Sequence, residues 1–209
     1  MAKPITSNNG SQKSKPRRNA KPGGPKPPRQ AAPPAAAEAS AGLARLNALS
    51  SADAEAELTR CCGSVRWAKR VADQRPFNVP QDLYSAAERA WAHMGTFDRL
   101  EAFSRHPRIG DVESLRVKFP STAAWAGAEQ AGVKGASDKV LGELAELNKA
   151  YEEKFGHVFL VCAAGKTAAE MLKLVKERLP HEPQAELDIA AAEQAKITRL
   201  RLERLLTSS

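Results

Sequence analysis

The chain has 209 residues and carries 32 Lys and Arg against 24 Asp and Glu, a net charge of +8, which suits one domain of ordinary size with an appendage. The charge is uneven: residues 1–40 hold eight basic residues and one acid (Glu38), a net of +7, and the remainder holds 24 against 23, a net of +1. A nucleic-acid-binding fold carries its basic patch on its own folded surface, so this distribution argues against that class, and the chain has no apolar run long enough for a transmembrane helix.

Residues 1–40 are rich in Lys, Pro, Ala, Gly and Ser and poor in large apolar side chains. Such a segment cannot bury enough surface to offset its ordering entropy, so the sequence predicts a disordered basic tail over 1–40 and a folded domain over 41–209. The tail reads either as a solubilising segment or as a weak electrostatic tether to nucleic acid. It has no apolar stretch of a secretory signal, and its eight prolines oppose the amphipathic helix of a transit peptide. The expected location is the cytoplasm. Three cysteines, two of them adjacent (Cys61, Cys62, Cys162), fit free thiols in a reducing compartment better than a disulfide framework, and no metal-ligand spacing is present.

Beyond the tail, apolar residues recur at helical spacing. Leu43, Leu46, Ala54 and Leu58 predict a first helix. Val65, Ala68, Val71 and Ala72 predict a second, ended before Pro76. Leu83, Ala86, Ala87, Ala90, Trp91 and Met94 mark a third, and Phe97, Leu100, Ala102 and Phe103 a fourth running to His106. A long helix over 137–155 has Val140, Leu141, Leu144, Leu147 and Tyr151 as its stripe, with Gly156 placed to end it. Phe159 to Ala163 is the one short apolar run that reads as extended. Thr167 with Glu170 forms a capping-box pattern for the next helix, stopped by Pro180, and a last helix spans 183–206. The predicted fold is all-α, a single bundle of about eight helices.

Three constellations could carry chemistry. In His106-Pro107-Arg108-Ile109-Gly110-Asp111, a histidine stands where a helical pattern breaks into a loop stiffened by proline. It reads either as a general acid–base group or as a cap. Glu129-Gln130 lies among small residues and reads as a ligand contact or a solvated face. On the last helix, Ala190, Ile197 and Leu200 share an arc, and Arg201 falls within about 40° of Ile197. An arginine there either snorkels outward or binds a carboxylate through two parallel hydrogen bonds. Glu193 and Gln194 flank the same arc. Gly165-Lys166-Thr167 lacks the earlier glycine of a phosphate loop, and no Gly-x-Ser-x-Gly elbow occurs.

Taken together, several segments resemble one family. They are Cys61-Cys62-Gly63-Ser64-Val65-Arg66-Trp67, Arg75-Pro76-Phe77, Ala102 through Asp111, Glu129-Gln130-Ala131-Gly132-Val133, Leu147 through Gly156, Phe159 through Ala163, and Lys196 through Leu202. In order and spacing they are similar to OHCU decarboxylases, which act on 2-oxo-4-hydroxy-4-carboxy-5-ureidoimidazoline (OHCU), and the resemblance covers about residues 43–206.

The resemblance implies an all-helical, cofactor-free and often dimeric carboxy-lyase. It would form (S)-allantoin and carbon dioxide in the third step from urate to allantoin. It also implies a site. His106 would be catalytic; from the chemistry of the substrate, Glu129 is expected to hydrogen-bond its hydroxyl and to keep the histidine in its useful tautomer. Pro107, Ala126, Gln130, the backbone of Phe159, Leu160, Val161, Cys162 and Ala163, and Arg201 would hold the ligand. No metal is implied. Ala126 stands where the family has a serine, and a lost neutral hydrogen bond weakens binding by about 0.5–1.5 kcal/mol. Two alternatives follow: a related decarboxylase or lyase acting on another ureido acid, and a non-catalytic helical module with a nucleic-acid-binding tail.

Overall fold

The structure is a computed structural model that describes Met1, residues 34–106 and residues 130–207; of residues 34–37 and 130–137 it describes the backbone alone. Among the described residues there are eight helices and no strand: α1 (Pro34–Ala48), α2 (Ser51–Cys62), α3 (Val65–Ala72), α4 (Pro80–Ala92), α5 (Thr96–Ser104), α6 (Gln130–Phe155), α7 (Ala168–Arg178) and α8 (Pro183–Thr207). The all-α class expected from the periodicity is the class observed. No described helix is long and apolar enough to cross a membrane.

Several boundaries differ from expectation. Helix α1 begins at Pro34, so residues 34–40, expected in the tail, are helical. The single helix expected across Leu43 to Leu58 is two. Ser50 caps the second by accepting the Asp53 N–H at 3.1 Å, because a serine side chain satisfies a donor that a helix start leaves open. Helix α6 begins at Gln130 rather than near 137, and Gly156, at φ 74°, follows its end. Phe97, expected on a packed face of α5, is 90% exposed. The capping box at Thr167 and Glu170 is present as expected.

Two clusters of buried side chains form the core. The larger lies among α1 to α5 and α8 and includes Leu43, Leu58, Trp67, Leu83, Phe103 and Leu202. The smaller is built by α6, α7 and the chain between them, with Leu141, Leu144, Tyr151, Phe159, Met171 and Val175. Each such side chain fully buried contributes about 1.5–3 kcal/mol. Both buried indoles find partners: the N–H of Trp67 donates to the Ala87 carbonyl, and that of Trp91 to the Ala191 carbonyl, both at 3.0 Å.

Close approaches set the helix positions. A Cβ on Gly42 would stand 1.9 Å from the Leu206 carbonyl oxygen, so α1 lies on α8 at a distance only glycine permits. The Arg75 guanidinium donates to the carbonyls of Leu46, Leu49 and Ala72, tying the ends of α1 and α3 together. These are carbonyls that helix ends leave without an intrahelical donor.

The segment Phe159 to Ala163, expected to be extended and here neither helix nor strand, joins the two cores. Phe159 is buried in the smaller and Leu160 in the larger. Two adjacent residues thus anchor the segment in two different cores.

Candidate functional site

The site begins where α5 ends. After Ser104 the backbone tightens through two bonds of the i→i−3 type, Arg105 N–H to the Ala102 carbonyl at 3.3 Å and His106 N–H to the Phe103 carbonyl at 3.1 Å. Such a tightened final turn is common at helix ends. It leaves His106 half-buried, two residues beyond the helix, as the pattern break predicted.

The His106 ring meets a residue 88 positions away. Its Nε2 lies 2.7 Å from Oε1 of Gln194, which is fully buried on α8. The Gln194 Nε2 donates to the Cys62 carbonyl and to the Thr198 hydroxyl, each at 3.1 Å. The Cys62 carbonyl can only accept, and the Thr198 hydroxyl can accept as well, so the network assigns the amide nitrogen to them and the amide oxygen to His106. His106 therefore carries its proton on Nε2, and in the neutral ring Nδ1 is the basic nitrogen. Gln194 thus sets this tautomer among the described residues, while Glu129, expected in that role, lies outside them.

Arg201 lies two turns further along α8, about 20° from Gln194 around the helix. It is half-buried and donates from Nη1 to the Cys61 carbonyl at 3.2 Å. Gln194 and Arg201 thus hold consecutive carbonyls at the end of α2, where the helix supplies no donors of its own. The rest of the Arg201 guanidinium has no hydrogen bond among the described residues, which is compatible with a second, anionic partner. The buried arc of α8 is centred nearer Gln194 and Thr198 than expected; Ile197 and Leu200 are only half-buried on its flank.

The extended segment is held by three side chains. Glu193, the neighbour of Gln194, accepts the Cys162 N–H at 2.7 Å. Lys166 donates to the Cys162 carbonyl at 2.9 Å, and Arg178 to the Leu160 carbonyl at 2.8 Å. Burial disfavours the charge on Glu193, but the Lys196 ammonium and the Cys162 N–H outweigh it, and its pKa lies below the ordinary carboxylate value. Successive residues of α8 therefore serve two elements: Glu193 the segment, Gln194 the histidine.

Of the expected site residues, His106, Arg201 and Phe159 to Ala163 are described, and α8 links all three. Pro107, Ala126 and Glu129 lie outside the described residues, and Gln130 opens α6 with its side chain outside them. The backbone contacts expected of Cys162 and of the Leu160 carbonyl are already made within the protein. Residues missed as site elements are Gln194, Glu193 and Arg178; the signal for the first two was two polar residues on the inner arc of an otherwise apolar helix. The adjacent thiols are not candidate nucleophiles. Burial pushes Cys61 up to about 12 and Cys62 to about 11, so neither is a thiolate at neutral pH. Among the described residues no group of three or more His, Cys, Asp or Glu could hold a metal ion.

Comparison with known proteins agrees over nearly the entire folded part. A family model described as OHCU decarboxylase matches residues 47–203. The uric acid degradation bifunctional protein TTL of Arabidopsis thaliana is 39% identical over 153 residues, 73% of this chain and 47% of that protein. The chain thus spans about half the length of that relative. The 2-oxo-4-hydroxy-4-carboxy-5-ureidoimidazoline decarboxylase of Haloferax volcanii is 27% identical over 141 residues, 68% of this chain and 81% of that protein. A crystal structure of OHCU decarboxylase in the presence of (S)-allantoin is 40% identical, with a TM-score of 0.57, over 73% of this chain and 98% of that one. A histidine fixed at a helix end, an arginine on the last helix and a backbone segment between two cores lie within the matched residues, and the chain belongs to the OHCU decarboxylase family.

Proposed function

We propose that this chain catalyses decarboxylation of OHCU to (S)-allantoin and carbon dioxide, the third step of urate degradation, with His106 as the proton carrier. The observation that supports this most is the bond from His106 Nε2 to Gln194, which sets one tautomer and leaves Nδ1 as the base.

The substrate carries a carboxylate and a hydroxyl on one ring carbon, next to an imine carbon. When the bond to carbon dioxide breaks, its electron pair forms a double bond to the imine carbon, and the imine nitrogen takes a proton from water. The resulting enol loses its hydroxyl proton to become a carbonyl while the former imine carbon gains a proton. His106 takes the first and supplies the second, on one ring face, which gives a single enantiomer. The substrate's own imine is the electron sink, so the protein supplies no cofactor for this step. Glu129 hydrogen-bonds the hydroxyl, and Pro107, Ala126 and Gln130 line the ligand. Arg201 faces substrate oxygens without gripping the departing carboxylate, because only interactions stronger in the transition state speed the reaction. The same reading makes the enzyme a cytoplasmic homodimer, which accords with its free cysteines.

The test supplies freshly generated OHCU to the purified chain and follows optical activity. Accelerated appearance of the S enantiomer of allantoin supports the proposal, and an uncatalysed, racemic time course contradicts it.

A further inference from the structure

The proposed mechanism leaves one large buried polar cluster without a role. Arg178, 6% exposed at the end of α7, and Glu186, fully buried in the first turns of α8, form an ion pair inside the protein. The guanidinium donates to Glu186 Oε1 from both Nε and Nη2, and its Nη2 also reaches the Tyr151 hydroxyl at 3.3 Å. Tyr151 donates to the same carboxylate oxygen, and His181 Nδ1 lies 2.8 Å from the other. A buried ion pair is weak evidence for stability, since well-packed apolar residues often do as well or better in its place. Its geometry therefore calls for another explanation.

That geometry points at the extended segment. The remaining arm of the fork, Nη1, donates to the Leu160 carbonyl at 2.8 Å, and the guanidinium carbon lies 4.8 Å from the centre of the Phe159 ring. One side chain thus grips two successive residues, one by its carbonyl and one by its ring. Glu193 and Lys166 hold Cys162 from the other end. Between these anchors Val161 is half-buried, and its N–H and carbonyl make no hydrogen bond among the described residues, leaving a donor and an acceptor between the two clamped residues. An amide or ureido group presents the matching acceptor and donor.

We infer that Arg178, oriented by Glu186 and Tyr151, is a positioning residue that fixes the Leu160 carbonyl and thereby presents the Val161 backbone to the ureido part of the substrate. This rests on the decarboxylase reading above. Arginine is required because the role uses separate arms of a rigid planar fork; lysine could keep the charge beside Glu186 but not both bonds.

The experiment compares wild type with Arg178→Lys and with the double variant Arg178→Met, Glu186→Met, which replaces the buried pair by apolar side chains and so retains a packed core. Both are expected to fold cooperatively, to raise KM for OHCU and Kd for (S)-allantoin about five-fold or more, and to change kcat less. The form of the pH–rate profile should stay that of wild type, and amide hydrogen exchange over residues 159–163 should quicken. Folded variants with KM, Kd and exchange unchanged within error overturn the positioning role. Wild-type turnover is measured alongside: an inactive wild type speaks against the decarboxylase reading, and an active wild type with unaltered variants speaks against Arg178 alone.

Discussion

The Nε2 of His106 and the Oε1 of Gln194 stand 2.7 Å apart, and the amide of Gln194 is held from its other end by the Cys62 carbonyl and the Thr198 hydroxyl. The histidine is thus oriented by a residue that is itself fixed in a single orientation. Gln194→Glu keeps the shape and replaces a neutral acceptor by a carboxylate. A carboxylate beside an imidazole favours its charged form, so His106 would need a higher pH to become the neutral base. The acid limb of the pH profile of kcat/KM is expected to move upward by about one unit or more. Gln194→Leu leaves the His106 N–H and the Cys62 carbonyl without their partner and is expected to cost about 1–3 kcal/mol of stability, read by urea unfolding. An unmoved pH profile in the glutamate variant would show that Gln194 does not tune His106.

Stability should depend on pH through a second histidine. The His157 ring packs 5.1 Å from Phe103 and 5.6 Å from Tyr151 between centroids, and burial lowers its pKa below the ordinary 6.5. In the unfolded chain the same ring takes its proton near pH 6.5. Between that value and the lower folded one the unfolded state binds more protons, so stability falls on acidification through this window. Glu186 adds a further loss at lower pH. Burial opposes its charge, but Arg178, Tyr151 and His181 outweigh that and hold its pKa below the ordinary 4.5. Its contribution is present above 4.5 and disappears as the pH falls through the folded value. Tm measured from pH 7 to 5 (a range of about two units around the histidine value) is expected to decline in wild type and to decline less in His157→Phe. Equal slopes would assign the acid sensitivity elsewhere.

The contact between α1 and α8 should tolerate no side chain at Gly42. A Cβ there would lie 1.9 Å from the Leu206 carbonyl oxygen, which is backbone and cannot rotate away. Gly42→Ala is expected to cost about 1–3 kcal/mol as overpacking. At about 2–4 °C per kcal/mol for a chain of this size, Tm should fall by several degrees. An unchanged Tm would mean that the two helices separate freely.

How far the molecule could be read in advance differs from element to element. The Thr167 and Glu170 capping box and the glycine after α6 were legible because each is a local device that acts through its own backbone. The break between α1 and α2 carried the same kind of signal, Ser50 followed three residues later by Asp53, but continuous apolar spacing across it hid the cap. His106 and Arg201 were legible through the resemblance. Gln194 was visible only as a polar residue on an inner arc; its meaning depends on a ring 88 positions away, which no local spacing encodes. Arg178 reads locally as a basic residue in the last turn of a helix, where cations are favourable. Its burial and its hold on Leu160 arise only when α6, α7 and α8 come together.

In the proposed reaction His106 moves the proton of OHCU decarboxylation. The most direct measurement is turnover of freshly generated OHCU by His106→Ala beside wild type, with Tm as the control for folding. The expected result is a kcat lower by about 10²-fold or more at a Tm near that of wild type, and near-wild-type turnover in the variant would contradict the assignment.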